Sequence, residues 1–162
     1  MDIVIFDLDD TLIITKDLKK FRDNKKWSSI KNYLHKTYML EKMKKWYEGF
    51  VKRNYRIVIV TNSPKSYAVQ ILNYHKLKYD LIIGYHDTIK HKPSCEPYKK
   101  ALEEFNGYEK IIIIGNELKD MLAATELYEK YNIESQNYLF NYNKEDLLKY
   151  KELIEKNNYI IL

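Results

Sequence analysis

Asp7, Asp9 and Asp10 crowd into the segment FDLDDTL, directly after the apolar run Ile3-Val4-Ile5-Phe6. Like charges at the end of a buried segment repel one another and resist desolvation. Such crowding calls for a counter-charge. In extended chain, positions i and i+2 point the same way, so Asp7 and Asp9 are expected to face one site while Leu8 turns to the core. Asp10 points the other way and reads as a turn or backbone-capping residue. Other aliphatic runs also end in polar residues: Thr61-Asn62 after RIVIV, and Gly115-Asn116 after KIIII with Asp120 one turn further on. Lys92 sits in the loop HKPSCEP. Carboxylates, a hydroxyl, a lysine and a second acidic cluster at one crevice describe a site for a divalent cation and a phosphate. A calcium loop of the EF-hand type does not fit, because its glycine position falls on Leu12 and its final acid on Leu18.

The elements that would position these residues alternate along the chain. Strands are expected at Asp2–Phe6, Arg56–Thr61, Asp80–Gly84, Lys110–Gly115 and Asn137–Phe140. RIVIVT and KIIIIG are almost continuously β-branched, which suits strands covered on both faces. Between them lie amphipathic segments. MLEKMKKWYEGFVKRN sets Leu40, Met43, Tyr47 and Phe50 at helical spacing, and PKSYAVQILNYHKL opens with a proline at a helix start. EPYKKALEEF, ELKDMLAATELYEKY and KEDLLKYKELIEK complete the set, the last being the expected final element. Strand–helix alternation with right-handed crossovers gives an α/β fold, a doubly wound, Rossmann-like parallel sheet. In such sheets ligands bind beyond the carboxyl ends of the strands, where the polar residues above fall.

Composition narrows the function classes. At 162 residues, a single domain spanning 1–162 is expected, and 45% hydrophobic against 31% charged residues suits a globular chain rather than a disordered one. The net charge of +5 comes from lysines spread along the chain, so a nucleic-acid footprint is possible but not favoured. Cys95 is the only cysteine, which rules out an intrachain disulfide and a CxxC metal site. It reads as an inert thiol, since nothing nearby argues for a lowered pKa. The four glycines, at 49, 84, 107 and 115, cannot build a GxGxxG or Walker loop. No signal-peptide pattern or membrane-length apolar run occurs, so a cytoplasmic protein without membrane association is expected.

Taken together, the motifs resemble those of the haloacid dehalogenase-like hydrolases over about residues 2 to 125. DxDxT matches Asp7-Leu8-Asp9-Asp10-Thr11, the strand-end hydroxyl matches Thr61 in VIVTN, and the lysine–proline pair matches Lys92 in HKPSCEP. The usual GDxxxD matches GNELKD, with Asn116 where an acid is the rule. The stretch from VTNSPKSYAVQIL to EPYKKAL resembles the phosphoglycolate phosphatase-like branch. The resemblance implies a phosphatase in which Asp7 attacks phosphorus and forms an aspartyl-phosphate, while Asp9 acts as acid and then base. It implies that Thr61 and Lys92 hold the phosphoryl oxygens, with Thr11 and Asn62 as further substrate-binding residues. Mg²⁺ is the implied cofactor, its ligands Asp7, Asp9, Asn116 and Asp120. A dehalogenase is disfavoured, because such members lack the acid that Asp9 supplies.

Cap domains in this family are inserted after the first motif or before the motif lysine. Here Tyr85–His91 is too short for one, and residues 13–38 have room for two short helices, KDLKKFRDNKKW and SSIKNYLHKTY. A very small cap or flap and a rather open site are therefore expected. Lys16, Lys19, Lys20, Arg22, Lys25 and Lys26 could meet an anionic substrate or form a solvated helix face. His86 and His91 flank the Lys92 loop as possible substrate contacts. The leading expectation is a Mg²⁺-dependent phosphomonoesterase for a small phosphorylated metabolite. The alternatives are a phosphatase for a macromolecular end, such as a polynucleotide 3′-phosphate, and a non-catalytic binding protein on the same fold.

Overall fold

Each β-branched run forms a strand buried on both faces. The computed structural model describes residues 1–162 and contains one six-stranded sheet: β1 (Asp2–Phe6), β2 (Arg56–Val60), β3 (Leu81–Ile83), β4 (Lys110–Gly115), β5 (Gln136–Leu139) and β6 (Ile160–Ile161). The strand order is β3-β2-β1-β4-β5-β6, with every pair parallel. The central β1 pairs Ile5 with Val58 of β2 and with Ile113 of β4.

Alternate residues of each strand feed two cores. Val4, Phe6, Ile57, Ile59, Ile112 and Ile114 face one side, packed by α2 (Glu41–Lys52) and α3 (Lys65–Tyr74) through Met43, Phe50, Ile71 and Leu72. Ile3, Ile5, Val58, Val60, Ile111 and Ile113 face the other, packed by α4 (Glu96–Glu103) and α5 (Leu118–Tyr131) through Tyr98, Ala101, Ala124 and Leu127. Ile3 through Phe6 are fully buried. Each such side chain is worth about 1.5–3 kcal/mol in transfer free energy. The centre of the sheet is thereby rigid, and the residues that follow β1, β2 and β4 inherit fixed starting points.

The chain end differs from expectation. The segment 144–156 bends at Tyr150 into α6 (Lys144–Lys149) and α7 (Lys151–Lys156), although the Ile154 amide still donates to the Tyr150 carbonyl at 3.0 Å. The chain then adds β6 beside β5, pairing Ile160 with Tyr138 and Ile161 with Leu139. Two residues carry no periodicity, so only the neighbouring strand makes this a strand. No helix is long and apolar enough to cross a membrane.

The insertion after β1 is also less helical than its sequence suggests. α1 covers only Lys19–Asp23, and 3₁₀ turns occupy Lys16–Leu18, Trp27–Asn32 and Leu34–Lys36. Leu18 and Phe21, then Trp27, Ile30 and Tyr33, recur every third residue. That spacing aligns side chains on a 3₁₀ turn rather than an α-helix. Leu18 and Ile30 are fully buried, and Phe21 stacks on Tyr33 at 4.6 Å. The two ends of the insertion are tied by an antiparallel bridge between Ile14 and Tyr38.

Candidate active site

The β1 strand ends in a tight loop that fixes the acidic residues. The Asp7 amide still donates to the Ile114 carbonyl of β4, at 2.9 Å. The chain then turns back, with Asp10 in the left-handed region at φ 59°, a conformation that aspartate tolerates better than most residues. The Asp10 amide donates to the Ile13 carbonyl, and Asp10 Oδ1 accepts the Thr15 amide at 2.9 Å. Asp10 thus holds backbone rather than facing a substrate. Leu8 is fully buried, and the Asp7 and Asp9 side chains share one cleft.

Lys92 supplies the counter-charge. Its ammonium donates to Asp7 Oδ1 at 2.9 Å, to Asp120 Oδ1 at 2.6 Å and to the Val60 carbonyl at 2.9 Å. All three protons are used, and the side chain is inaccessible to solvent. Burial works against its charge, but Asp120 and Asp7 together hold its pKa well above the usual lysine value. Asp120 is pushed up to about 6 by burial first and by Asp7 second, against the opposing pull of Lys92. The Glu117 amide binds its second oxygen at 3.1 Å. Gly115 is required beside it, since a Cβ there would lie 2.5 Å from Asp120 Cγ.

The remaining expected site residues divide by what they touch. Thr61 directly follows β2, its amide donating to the Ile83 carbonyl and its Oγ1 accepting the Ser63 amide at 3.0 Å. Asn62 clamps the Lys92 backbone, donating to its carbonyl at 3.1 Å and accepting its amide at 3.3 Å. It therefore positions the lysine, although its side chain also lines the cleft. Thr11 is only 1% exposed, so it is a poor substrate contact. Its Oγ1 lies 3.0 Å from Asp7 Oδ2 and 3.1 Å from Asn116 Oδ1.

Asp9 has four partners that sequence spacing did not reveal. Oδ1 accepts from Thr15 Oγ1 at 2.7 Å and from the Tyr67 hydroxyl at 2.6 Å. Oδ2 accepts from Ser63 Oγ at 2.8 Å and lies 3.5 Å from Arg22 Nη1. Burial and the Asp9 carboxylate both hold the Tyr67 phenol far above its ordinary pKa. Ser63 could have been suspected, two residues past Thr61. Tyr67 one turn into α3, and Arg22 from the insertion, carry no such signal.

A cation position can be judged from these oxygens. One hydroxyl proton on Thr11 faces two acceptors, Asp7 Oδ2 and Asn116 Oδ1, so one of them is left without it. Two converging oxygens of this kind suit a hard cation. Asp9 is held elsewhere by its own partners, and no three carboxylate, histidine or cysteine side chains converge to hold a metal. The expected four-residue ligand set is therefore brought together only in part: Asp7 and Asn116 in contact through Thr11, with Asp120 behind them against Lys92.

The cleft over Asp7 has a volume of about 380 Å³, walled by Arg22, Trp27, Tyr85 and His86. Asp7 itself is only 8% exposed. The small insertion forms part of the cleft wall: Trp27 packs on Tyr67 with ring centres 5.3 Å apart, and Arg22 lies 3.5 Å from Asp9. Lys25 also lines the cleft, whereas Lys19 pairs with Asp23 and Lys16 lines a separate hollow of about 530 Å³ on the Asn116 side. His91 stacks on Tyr85 at 4.0 Å outside the cleft lining, while His86 lies in it. Cys95 is buried, and burial pushes its thiol up to about 11.

Comparison with known proteins agrees with this architecture. A hydrolase from Pseudomonas syringae superposes with a TM-score of 0.69 at 17% identity, covering 91% of this chain and 89% of that one. A haloacid dehalogenase-like family hydrolase from Streptococcus pneumoniae gives 0.66 at 19% identity, covering 98% and 92%. A protein described as a predicted phosphoglycolate phosphatase, from Haemophilus somnus, gives 0.66 at 16% identity, covering 85% and 84%. No curated protein matches the sequence. The family model for haloacid dehalogenase-like hydrolases matches residues 15–133. That span starts just after Asp7 and Asp9, so their reading rests on the β1 loop and its contacts. It includes the strand-end threonine, the buried lysine and Asp120, and covers well over half of the chain: this protein belongs to the haloacid dehalogenase-like hydrolases.

Proposed function

We propose that the protein is a phosphomonoester hydrolase that forms an aspartyl-phosphate on Asp7 and acts on a small phosphorylated compound, with Mg²⁺ as its cation. The observation that carries this reading is the Asp7 carboxylate at the floor of a walled cleft, held by the fully buried Lys92 at 2.9 Å. A carboxylate fixed in one geometry by a cation needs little reorganisation to act as a nucleophile.

In the first step an Asp7 oxygen bonds to phosphorus and the ester oxygen leaves, taking a proton from Asp9. In the second, a water oxygen attacks phosphorus after giving a proton to Asp9, and the Asp7 carboxylate is released. Asp9 suits both duties. Its partners Thr15, Ser63 and Tyr67 are hydroxyls that can donate to a carboxylate or accept from a carboxylic acid, so either protonation state can be accommodated in place. Lys92 balances Asp7 and Asp120 and keeps a positive charge close to the incoming phosphoryl group. Mg²⁺, held by Asp7 and Asn116 with Asp120 behind, would screen the repulsion between Asp7 and an anionic phosphate.

The walls of the cleft favour a small substrate over a macromolecular end, because Arg22, Trp27 and Tyr85 bound a space of about 380 Å³ beside Asp7. The test is a phosphate-release screen over small phosphomonoesters and phosphorylated oligonucleotides, with and without Mg²⁺, alongside Asp7→Asn. Turnover is expected on small monoesters, falling by orders of magnitude in the variant. Comparable activity in a clean Asp7→Asn preparation would remove Asp7 as nucleophile. Absence of phosphate release from every substrate would leave a binding protein on the same fold.

A further inference from the structure

Nearly all the carboxylate oxygens around Asp7 already have protein partners. Lys92, fully buried, donates to Asp7 Oδ1 and Asp120 Oδ1, and the Glu117 amide donates to Asp120 Oδ2. Asp9 is held by Thr15, Tyr67 and Ser63, Asp10 by the Thr15 amide, and Glu117 pairs with Lys119 at 3.1 Å. The exception is the couple facing Thr11. Asp7 Oδ2 and Asn116 Oδ1 lie 3.0 and 3.1 Å from its Oγ1 and compete for one proton. Only Asp7 in that couple carries a charge. Mg²⁺ gives up its water reluctantly and is held through one or two carboxylates together with substrate phosphate oxygens. One carboxylate oxygen and one amide oxygen are the least of such sets.

Resting on the proposed hydrolase reading, we propose that Asn116 makes cation binding depend on phosphate: without a phosphoryl group the protein holds Mg²⁺ weakly, and ion and phosphate ester bind as a mutually supporting pair. Asn116 stands in GNELKD where an acid is the rule. A carboxylate there would set a second negative charge across Thr11 from Asp7, and the two would attract a divalent cation with no phosphate present. The same carboxylate would repel Asp7 and an incoming phosphate whenever the cation was absent. The amide removes both effects and keeps an oxygen in place. Phosphate then supplies the charge that the cation needs, and the cation supplies the counter-charge that phosphate needs beside Asp7.

The experiment is a calorimetric titration of Mg²⁺ into protein stripped with EDTA and dialysed, alone and with saturating inorganic phosphate, after subtracting the heat of Mg²⁺ added to phosphate without protein. Phosphate should tighten Mg²⁺ binding by at least about tenfold, and Mg²⁺ should tighten phosphate binding by the same factor, because linkage is reciprocal. Asn116→Asp should bind Mg²⁺ alone at least about tenfold more tightly than the wild type, through the added charge, and gain less from phosphate. The wild-type comparison stands whether or not that variant folds. Mg²⁺ affinities equal with and without phosphate overturn the proposal alone, since phosphate binding is then intact. So does a folded Asn116→Asp protein that binds Mg²⁺ alone no better than the wild type. Absence of phosphate binding in both conditions overturns it as well; if the phosphomonoester screen is also silent, the hydrolase reading falls with it.

Discussion

Replacing Lys92 by methionine keeps the length and apolar body of the side chain and removes only its charge. The charge it removes has no access to water. Nζ donates to Asp7 at 2.9 Å, to Asp120 at 2.6 Å and to the Val60 carbonyl at 2.9 Å, so the variant strands two carboxylates and a carbonyl. Breaking a buried ion pair by removing one partner costs about 3–5 kcal/mol. With a urea m-value of about 2 kcal/mol/M, the unfolding midpoint should fall by about 1.5–2.5 M. Measurements belong in EDTA, because a bound cation would partly replace the lost charge. The deficit should also depend on pH in a defined direction. Asp120 is already pushed up to about 6 by burial and Asp7, with Lys92 pulling the other way. Without Lys92 the folded Asp120 carboxyl holds its proton still more tightly relative to the unfolded chain. The folded variant is then favoured below the unfolded carboxylate range and loses stability as pH rises through the raised folded value of Asp120. The deficit against wild type should therefore be larger at pH 8 than at pH 5. Adding Asp120→Asn should recover part of the loss, giving a coupling of about 0.5–3 kcal/mol in the double-mutant cycle. A deficit below about 1 kcal/mol would refute the buried triad, since that is near the range of surface substitutions. So would a deficit equal at both pH values.

Gly115→Ala places a Cβ at 2.5 Å from Asp120 Cγ and Oδ2 and should cost about 1–3 kcal/mol in stability, read as a lower melting temperature. An unchanged melting temperature would mean the close approach is relieved freely. Asn116→Asp should lower the Mg²⁺ concentration needed for half activity, and Asn116→Ala should raise it, since carboxylate and amide oxygens both suit this ion but only one brings charge. Identical titrations for all three proteins would mean Asn116 holds no cation. Cys95 should resist iodoacetamide at pH 8 in the folded protein and react readily in urea, because burial pushes its thiol up to about 11. Fast labelling of the native protein would contradict that burial.

What the sequence determined by itself was everything written in local pattern. RIVIV and KIIII have no solvent face in any strand register, so they had to be central strands, and parallel ones, with helices on both sides. The polar residues that follow them then had to meet at the carboxyl edge, as Asp7 and Thr61 do in one cleft, with Lys92 joining Asp7 to Asp120 of α5. Asp10, shifted by one position, took the capping role that strand alternation assigns it. Tertiary structure decided the rest. Ile160-Ile161 became a strand only because β5 offered an open edge, and a two-residue run has no period of its own. The insertion wound into 3₁₀ turns and settled on Tyr67 through Trp27, contacts between segments that helical spacing cannot foresee. Above all, the partners of Asp9 come from four places in the chain: Thr15, Arg22, Ser63 and Tyr67. A hydrogen bond depends on where side chains end in space, whereas spacing along the chain reports only which residues leave the backbone on the same side.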